Sequence, residues 1–584
     1  MIYPLLFLLA AGLNMLLGLH QWHYVLAGNL QDPDSYMRLL RIEQGVRAGH
    51  FVTNVAGDQS GAGVMVEWSR LLDIIIWLLA APLVPFLGWH KALFATGVAL
   101  GPLGVGALGV SLGWAVEPVS LRRHLWATAA AAAILPALAS IALPGVVHYH
   151  VALLALIALT AGCVLRAARE NTWFGFLAGL SGGFAIWMTP ETMPFVLMAY
   201  AALALRWLKA RNATTLLATA AGCFDVLGIG LFVDPPFGGY GVPEIDRLSY
   251  VYVTMALVLL ASAALLLRVQ ARSKSWRGPL GLLVMGLPLL GWIIAFPGVV
   301  EGPSGLLPPE EAKAFFTDIL EQMPPRGLDL IIFLLPGAWA VLYAGLRAWQ
   351  DGKPPLADLA ETRLLGVPPR APLAWAYVAL CGTVALALGA GYLLFTSFSA
   401  IFAAALLPVA LSRIETKGGL LAAPKRIALL ALVLLGPFLA AQAKGRAAAW
   451  PQPGKTYPSC SLHNIAPLLT QSAGQVVLAP PEDTPELLYR SQIFTVGSLY
   501  HHGIAGFMKD RAAWRATPGE SVPPALAATF ARYILFCPTP GRYPLVADRP
   551  ATTLWDVLNE PAPPPWLQVL DSNQDGWTLY KIVP

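Results

Sequence analysis

Charged residues are scarce in this sequence. Asp, Glu, Lys and Arg make up 12% of the 584 residues, whereas hydrophobic residues make up 57%. A soluble domain carries about 25% charged residues. Half that share indicates that most of the protein surface is not in contact with water. The composition therefore predicts a polytopic α-helical membrane protein.

The basic residues are not concentrated in one region, although the net charge is +5. They lie in short groups between apolar runs, whereas a surface that binds nucleic acid clusters its basic residues on one face. This distribution excludes nucleic acid as a partner and is typical of loops between membrane spans.

Cysteine motifs for metal are also missing, because none of the five cysteines lies in a CxxC or zinc-type spacing. Cys163, Cys223 and Cys381 fall in apolar runs, where cysteine acts as a small buried hydrophobic residue. Cys460 and Cys537 lie in the polar C-terminal part. In an oxidising compartment these two could form a disulfide.

The N-terminus lacks the basic start and the cleavage site of a secretory signal, so residues 1–21 predict a retained first span. A spanning helix needs about 20 mostly apolar residues. The sequence predicts thirteen spans, at 3–21, 92–116, 124–143, 150–166, 173–189, 192–207, 213–233, 249–267, 278–297, 329–347, 373–396, 398–412 and 427–442.

The run 71–88 is a fourteenth apolar candidate. Cytoplasmic loops are enriched in Lys and Arg, and if 71–88 does not cross the membrane, six basic connections share one side. These connections are 122–123, 166–169, 206–211, 268–277, 347–370 and 413–426. We therefore predict that 71–88 is a re-entrant or interface-lying helix. We expect a bacterial inner-membrane protein with a cytoplasmic N-terminus and a periplasmic C-terminal domain.

This topology divides the chain into a membrane domain at 1–442 and an extracytoplasmic domain at 443–584. The membrane domain has outer loops at 22–91, 144–150 and 298–328. The C-terminal part loses the hydrophobic excess and mixes strand-like with helix-like stretches, which predicts a soluble α/β domain. The strand-like runs are 475–479, 533–537 and 577–583, and the helix-like stretches are 481–490 and 521–532.

The densest polar cluster, 31–43, follows the first span. Within it, Asp32 and Asp34 flank a proline, and Asp34 or Ser35 can cap a helix over about 35–47. Two carboxylates two residues apart can also bind a divalent cation, which takes oxygen ligands. From spacing alone both interpretations stay open: a helix cap in a solvated loop, or a cation site.

Three more polar groups lie beside apolar segments. Arg70 belongs to a charged segment, 67–73, that either acts at the membrane surface or anchors the interface. His148 and His150 are two apart in an extended segment and would point the same way, as metal ligands or proton carriers. Glu191 lies between two prolines at the outer end of a span, either in an ion or substrate site or in a simple hairpin.

The outer loop 298–328 is rich in acids, including Glu321, and we interpret it as a lid over a site. In the C-terminal part, Arg490, His501 and His502 belong to polar-aromatic groups that either face the membrane domain or form ordinary surface.

The first outer loop resembles a known family. Asp32-Pro33, followed by Tyr36 and Arg38, is similar to the Asp-Pro-aromatic motif of the oligosaccharyltransferase catalytic subunit, a GT-C membrane glycosyltransferase. The segment 68–73 looks like the end of the same loop in archaeal and bacterial relatives.

A second motif and the topology add to this likeness. His148-Tyr-His150 lies where the relatives carry their second acidic motif, and the predicted topology matches theirs. The resemblance implies transfer of a sugar or glycan from a polyprenyl-phosphate or polyprenyl-diphosphate donor. The acceptor would be a glycan, lipid or protein at the outer face, attacked with inversion.

The same resemblance implies roles for individual residues. Asp32, Asp34 and Glu191 would be catalytic, and Asp32 with His148 and His150 would hold a divalent ion, Mg²⁺ or Mn²⁺. The ion would stabilise the leaving phosphate. Arg38 or Arg70 would hold the phosphate oxygens, and Glu321, Arg490, His501 and His502 would lie on the lid or acceptor side.

Two features depart from the family pattern. The second motif lacks an acid, and the Trp-Trp-Asp-Tyr-Gly motif that reads the asparagine sequon is missing, Trp555-Asp556 being the nearest fragment. Two other classes stay open: a transporter or flippase for a lipid-linked substrate, and a non-catalytic envelope-polysaccharide assembly protein. Because the acids cluster in outer loops and the spans are almost uncharged, surface chemistry is favoured over transport.

Overall fold

A computed structural model describes residues 2–167, 171–210, 213–269, 276–317, 319–351, 372–417, 419–448, 458–539, 552–560 and 562–583. Parts of the predicted basic connections at 166–169, 206–211, 268–277 and 347–370 lie outside these residues, as do the first residues of the predicted C-terminal domain after the last helix.

Long apolar helices dominate the membrane part, and eight of those described are long and apolar enough to cross a membrane. Two bent helix pairs pass the same test as broken spans, with bends of 74° and 64°. The protein is therefore an integral membrane protein, and the predicted count of thirteen spans stays a prediction. The eight helices are Arg70–Val119, His150–Ala167, Thr214–Val233, Tyr250–Val269, Gly278–Ala295, Leu330–Gln350, Leu393–Thr416 and Ala422–Gly445.

The membrane part contains shorter helices as well, so the α-helices of its described residues differ widely in length. They are Ile2–Leu17, Leu19–Leu26, Pro33–Ala48, Arg70–Ala80, Val84–Val116, Trp126–Ile134, Pro136–Ala139, His150–Ala167, Thr172–Met188, Met193–Ala210, Thr214–Val233, Tyr250–Val269, Arg277–Gly281, Leu287–Ala295, Gly298–Glu301, Pro309–Phe316, Leu335–Asp351, Pro372–Gly391, Thr396–Lys417, Ala422–Leu430 and Gly436–Ala448.

The run 71–88 forms the helix Arg70–Ala80 and the start of the next helix, Val84–Val116. Gly88 interrupts that second helix with a φ of 71°, a value that glycine adopts without a steric penalty. The break falls at the end of the predicted interface helix. The position of 71–88 relative to the membrane stays a prediction.

Glycines bring two helices of the membrane part into close contact. Gly175, Gly179 and Gly183 recur every four residues on the helix Thr172–Met188 and face Thr214–Val233. A Cβ at Gly179 would lie 2.0 Å from the carbonyl oxygen of Thr219, so only glycine fits. Small residues at this spacing allow backbones in a membrane to approach closely. The contact holds these two helices side by side, and Thr172–Met188 ends shortly before Glu191.

The first outer loop contains a short antiparallel pair, β1 (Asn54–Val55) and β2 (Val64–Met65). The C-terminal domain contains a five-stranded mixed sheet of β3 (Val476–Leu478), β4 (Phe494–Thr495), β5 (Tyr533–Phe536), β6 (Leu567–Ser572) and β7 (Thr578–Ile582). The strand order is β4-β3-β5-β7-β6, in which β3 pairs parallel with β4 and β5, whereas β7 pairs antiparallel with β5 and β6.

Strand β5 is buried on both faces of the sheet, which explains its continuous apolar run. Ile534 and Phe536 pack into one core with Trp514, whereas Leu535 packs into another with Leu579. This alternation is the two-residue period of a strand. Cys460 and Cys537 form a disulfide beside the second core.

The predicted strand-like runs match β3, β5 and β7, and the predicted helix 481–490 matches Thr484–Arg490. The stretch 521–532 contains only the short helix Pro524–Ala527. The other α-helices in the described part of the domain are Ile504–Arg515 and Leu554–Leu558.

The first outer loop docks on the C-terminal domain through backbone and side-chain hydrogen bonds. The amide of Thr495 donates to the carbonyl of Gly57 at 2.9 Å, and the hydroxyl of Ser60 donates to the carbonyl of Thr529 at 2.8 Å. Buried Asp58 accepts hydrogen bonds from Thr495 and Ser498. These contacts place the domain directly beside the helix Pro33–Ala48.

Candidate active site

Asp32 caps the helix Pro33–Ala48. Its Oδ1 accepts a hydrogen bond from the amide of Ser35 at 2.8 Å, and Pro33 occupies the first helical position. The expected cap at Asp34 or Ser35 was therefore wrong, because proline starts a helix readily with its φ already fixed. The helix begins two residues earlier than predicted, and its acidic N-terminus points toward the loop 144–149.

His148 is the partner of Asp32 in that loop. The imidazole Nε2 lies 2.9 Å from Oδ1 of Asp32, and the backbone amide of Val147 donates to the hydroxyl of Ser35 at 2.8 Å. Burial disfavours a charged imidazole, but the negative charge of Asp32 outweighs it and raises the pKa of His148 to about 9. The contact joins two segments that the sequence separates by 116 residues.

Asp34 and Tyr500 connect the membrane domain to the C-terminal domain. The Tyr500 hydroxyl donates to Oδ1 of Asp34 at 2.8 Å. Burial raises the pKa of Asp34 to about 6, although the charge of His148 and this hydrogen bond act in the opposite direction. Asp34 is thus an acid whose environment is shared by two domains.

His150 and Glu191 bring unsatisfied polar atoms to the same place. Both ring nitrogens of His150 and the Oε2 of Glu191 are buried without a hydrogen-bond partner among the residues that the structure describes. Burial, and then the nearby acids Glu321 and Glu67, raise the pKa of Glu191 to about 7. The rings of His148 and His150 lie 5.5 Å apart, centroid to centroid.

Asp34, His148, His150, Glu191 and Tyr500 line one cleft of about 170 Å³ between the helices and the C-terminal domain. Asp32 does not line this cleft, although it contacts His148. Acids from five separate segments face it, and they are Asp34, Glu67, Glu191, Asp246 and Glu321. The other polar lining residues are Arg38, His148, Tyr149, His150, Thr189, Gln322, Tyr500 and His501. The cleft therefore collects an excess of negative charge.

The two arginines expected to hold phosphate already have carboxylate partners. Arg38 lines the cleft, but its Nη1 lies 3.0 Å from Asp73, and its guanidinium stacks over Trp68 at 4.2 Å. Arg70 does not line the cleft; its backbone amide donates to Asp234 at 2.8 Å, and its Nε lies 3.7 Å from the same carboxylate. Their role in phosphate binding stays a prediction.

The residues expected on the lid or acceptor side separate into two groups. Glu321 and His501 line the cleft. Arg490 instead holds the domain interface, where it donates to Asn29 at 2.8 Å and to the Tyr36 hydroxyl at 2.9 Å. His502 contacts Asp246 at 2.7 Å.

Sequence reasoning did not select Glu67 and Asp246 as site residues. Glu67 stood within the charged segment 67–73, but a carboxylate beside an apolar helix can equally anchor the interface. Asp246 lies in the loop before Tyr250–Val269, where a loop acid normally faces water. Only the fold shows that the Asp246 carboxylate is 3% exposed.

The architecture combines an apolar helical domain, a loop at 22–91 that contains an acidic helix start, and a C-terminal sheet domain beside the cleft. No protein-family model matches the chain, and no curated protein matches it by sequence. The fold is similar to that of the oligosaccharyltransferase AglB from the archaeon Archaeoglobus fulgidus. AglB in complex with an inhibitory peptide and dolichol-phosphate aligns with a TM-score of 0.66 at 13% identity, over 91% of this chain and 69% of AglB.

Two other solved structures are similar. The Archaeoglobus fulgidus enzyme in complex with zinc and sulfate gives a TM-score of 0.62 at 13% identity, over 92% of this chain and 67% of that chain. ArnT from Cupriavidus metallidurans bound to undecaprenyl phosphate aligns over 97% of both chains at 13% identity, but with a TM-score of only 0.34. The family resemblance predicted from the first outer loop is thus confirmed at the level of the fold.

Proposed function

We propose that this protein is a membrane glycosyltransferase that moves a sugar or glycan from a polyprenyl-phosphate or polyprenyl-diphosphate donor to an acceptor at the outer face of the membrane. One observation supports this proposal above all. In a chain with the oligosaccharyltransferase fold, carboxylates from five separate segments line a single cleft between the apolar helices and the outer domain.

The donor class follows from the surroundings of the cleft. A long polyprenyl chain needs an apolar groove, and the helices beside the cleft are long and apolar enough to lie in a bilayer. AglB, which has the same fold, was solved with dolichol-phosphate. By this analogy the lipid tail lies along the helices while the phosphate and the sugar enter the cleft.

We infer that a cation assists phosphate binding, because acids outnumber the cationic side chains of Arg38 and His148 in the lining of the cleft. The buried, unpartnered atoms of His150 and Glu191 within the described part of the chain are the kind of groups that a divalent ion satisfies. We propose that Asp32, His148 and His150 hold this ion, Mg²⁺ or Mn²⁺, which would stabilise negative charge on the leaving phosphate.

Asp34 is the side chain we propose as general base. Its carboxylate lines the cleft and is held by the Tyr500 hydroxyl. As the acceptor attacks the anomeric carbon, its proton passes to Asp34, the bond between that carbon and the phosphate oxygen breaks, and the lipid phosphate leaves. Attack from the face opposite the phosphate inverts the anomeric centre. Glu191 faces the same space and would orient the acceptor.

The acceptor class is a glycan, a lipid or a protein without the asparagine sequon. The nearest fragment to the sequon-reading motif does not face the cleft. Trp555 is buried in a core of the sheet domain, and Asp556 forms a capping box with Thr553. Both residues thus have structural roles at the start of a helix.

The proposal places the cleft outside the cytoplasm, in the periplasm of a bacterium, with the N-terminus inside. The Cys460–Cys537 disulfide supports this side, because disulfides persist in oxidising compartments. The basic connections between spans, which favour the cytoplasm, point the same way.

Lipid-linked intermediates in living cells test the proposal. In cells that lack this protein, mass spectrometry of membrane lipids should show one sugar-linked polyprenyl species accumulating while one surface glycan disappears. The wild-type gene should reverse both changes, and Asp34→Asn should reverse neither. Asp571→Asn is the matched control, because Asp571 is exposed on the edge strand β6, and it should complement fully. Unchanged lipids and glycans in the deleted cells, or full complementation by Asp34→Asn, would refute the proposal.

A further inference from the structure

Two histidines of the C-terminal domain converge on one carboxylate of the membrane domain. Nε2 of His501 lies 2.8 Å, and Nε2 of His502 lies 2.7 Å, from the same Oδ2 of Asp246. Within the described ranges, these three residues form the one group of His, Cys, Asp or Glu side chains whose ligand atoms all lie within 4.8 Å of one another. The ligand atoms of the predicted set, Asp32, His148 and His150, do not all lie within this distance of one another.

The chemistry of these three donors selects a particular kind of cation. Mg²⁺ and Ca²⁺ prefer oxygen ligands, whereas two imidazoles and a carboxylate suit Zn²⁺ and its neighbours. Zinc lies about 2.0–2.2 Å from such ligands. An ion between the three side chains therefore requires each imidazole to move away from Asp246 by less than an ångström. Three protein ligands leave a fourth position for water or a substrate oxygen.

His501 has a carboxylate near its second ring nitrogen, as a histidine that binds metal usually does. Oε2 of Glu67 lies 3.8 Å from Nδ1 of His501, and in the part of the chain that the structure describes it is buried without a hydrogen-bond partner. A histidine that binds metal usually donates its other ring N–H to a carboxylate, which fixes the tautomer. Glu67 can thus hold His501 with Nε2 facing the ion. On the other side, the ring of Phe237 contacts His502 edge-on at 5.2 Å.

We propose that Asp246, His501 and His502 bind a zinc-class transition-metal ion that fastens the C-terminal domain to the membrane domain. Asp246 belongs to the loop between Thr214–Val233 and Tyr250–Val269, so the ion would join two parts of the chain more than 250 residues apart. Asp246 and His501 also line the cleft, so the ion would fix one of its walls. This site is separate from the ion expected at Asp32 and does not depend on the proposed transferase activity.

Metal content tests this site directly. The full chain, purified in detergent and stripped with a chelator, is equilibrated with Zn²⁺, washed free of unbound ion and analysed for zinc per chain by mass spectrometry. The wild-type protein should retain one zinc more than Asp246→Asn or His502→Gln. His463→Gln is the matched control, because His463 is a part-buried histidine of the same domain that contacts Asn29 instead, and it should retain the ion.

Cobalt gives a measurement that needs no variant and so stays informative if the substitutions impair folding. Co²⁺ added to the stripped wild-type protein should produce the visible absorption bands of a four-coordinate site, and Zn²⁺ should abolish them. Addition of Zn²⁺ should also raise the Tm of the wild-type protein but not that of His502→Gln. Equal zinc in the wild-type and His502→Gln proteins, or a wild-type protein with neither retained zinc nor cobalt bands, would overturn the proposal.

Discussion

The Tyr500 hydroxyl donates a hydrogen bond to Oδ1 of Asp34 at 2.8 Å, although 466 residues separate the two in sequence. Asp34 lies in the first turn of the helix Pro33–Ala48, whereas Tyr500 belongs to the C-terminal domain. The carboxylate proposed as the base is therefore positioned by a domain that folds from the far end of the chain. Docking of that domain completes the cleft.

Tyr500→Phe should weaken transfer without unfolding the protein. The substitution removes one hydrogen bond to a carboxylate, a loss of about 1.5 kcal/mol, which corresponds to roughly a tenfold lower rate. Donor consumption by purified protein measures the effect. Tyr489→Phe is the control, because the Tyr489 hydroxyl has no hydrogen-bond partner among the described residues and should be dispensable. Equal rates for Tyr500→Phe and Tyr489→Phe would separate Tyr500 from the chemistry.

Asp32 has two roles that two substitutions distinguish. Asparagine caps a helix as well as aspartate does, whereas alanine at the cap costs about 1 kcal/mol. Asp32→Asn should therefore retain the cap but lose the charge that faces His148, whereas Asp32→Ala should lose both and be less stable than Asp32→Asn by about that amount. If Asp32 holds the ion, both variants should lose transfer. If Asp32→Asn transfers the sugar at the wild-type rate, Asp32 does not hold an ion that the reaction needs.

Glu43 connects the helix Pro33–Ala48 to the helix Val84–Val116, and its contribution to stability should depend on pH. The hydrogen bond from His90 at 3.0 Å, with help from Arg47, lowers the pKa of Glu43 below its ordinary value, although burial opposes it. A depressed carboxyl pKa stabilises the fold above the ordinary pKa, and this stabilisation is lost as the pH falls through the folded value. Because both partners are more than half exposed, we expect under about 1 kcal/mol.

Thermal unfolding of the wild-type protein and Glu43→Gln measures this contribution. The Tm of the variant should be lower at pH 7, and the difference should shrink as the pH falls through the lowered pKa of Glu43. Glu310→Gln, an exposed acid of the loop 298–328, should unfold like the wild-type protein at every pH. A difference that grows as the pH falls would contradict the assigned sign.

The glycine contact between Thr172–Met188 and Thr214–Val233 should be intolerant of a methyl group. Gly179→Ala forces the two backbones apart, since its Cβ would meet the Thr219 carbonyl, and overpacking of this kind costs about 1–3 kcal/mol. Gly228→Ala, on the second of these helices, meets nothing within 4 Å and is the control. Melting of the purified proteins, followed by tryptophan fluorescence, should show a lower Tm for Gly179→Ala only.

The sequence predicts those parts of the site that local chemistry specifies. Asp32 and Asp34 stand in a polar cluster directly after an apolar run, and the His148-Tyr-His150 segment interrupts another, so both stand out by composition. The fold then brings Asp32 within 2.9 Å of His148. Strands β3 and β5 were likewise predictable, because a strand buried on both faces reads as a continuous apolar run.

Pairings between distant segments could not be predicted in this way. Arg38 and Arg70 look free in sequence, but the fold places them against Asp73 and Asp234. Each of these carboxylates also pairs with a second arginine, Arg41 or Arg247. Asp246 looks like an ordinary loop acid until the C-terminal domain places two histidines on it. The helix cap is Asp32 instead of the predicted Asp34 or Ser35, because proline, unlike other residues, prefers the first helical position.

Consumption of a lipid-linked sugar by the purified protein tests the central claim most directly. The protein is reconstituted in liposomes with membrane lipids extracted from cells that lack it, and the polyprenyl species are followed by mass spectrometry. The wild-type protein should convert one sugar-linked species to the sugar-free polyprenyl phosphate or diphosphate, and Asp34→Asn should do so at least about a hundredfold more slowly. If no donor is consumed while the lipid moves from one leaflet to the other, the protein is a flippase and the transferase account is wrong.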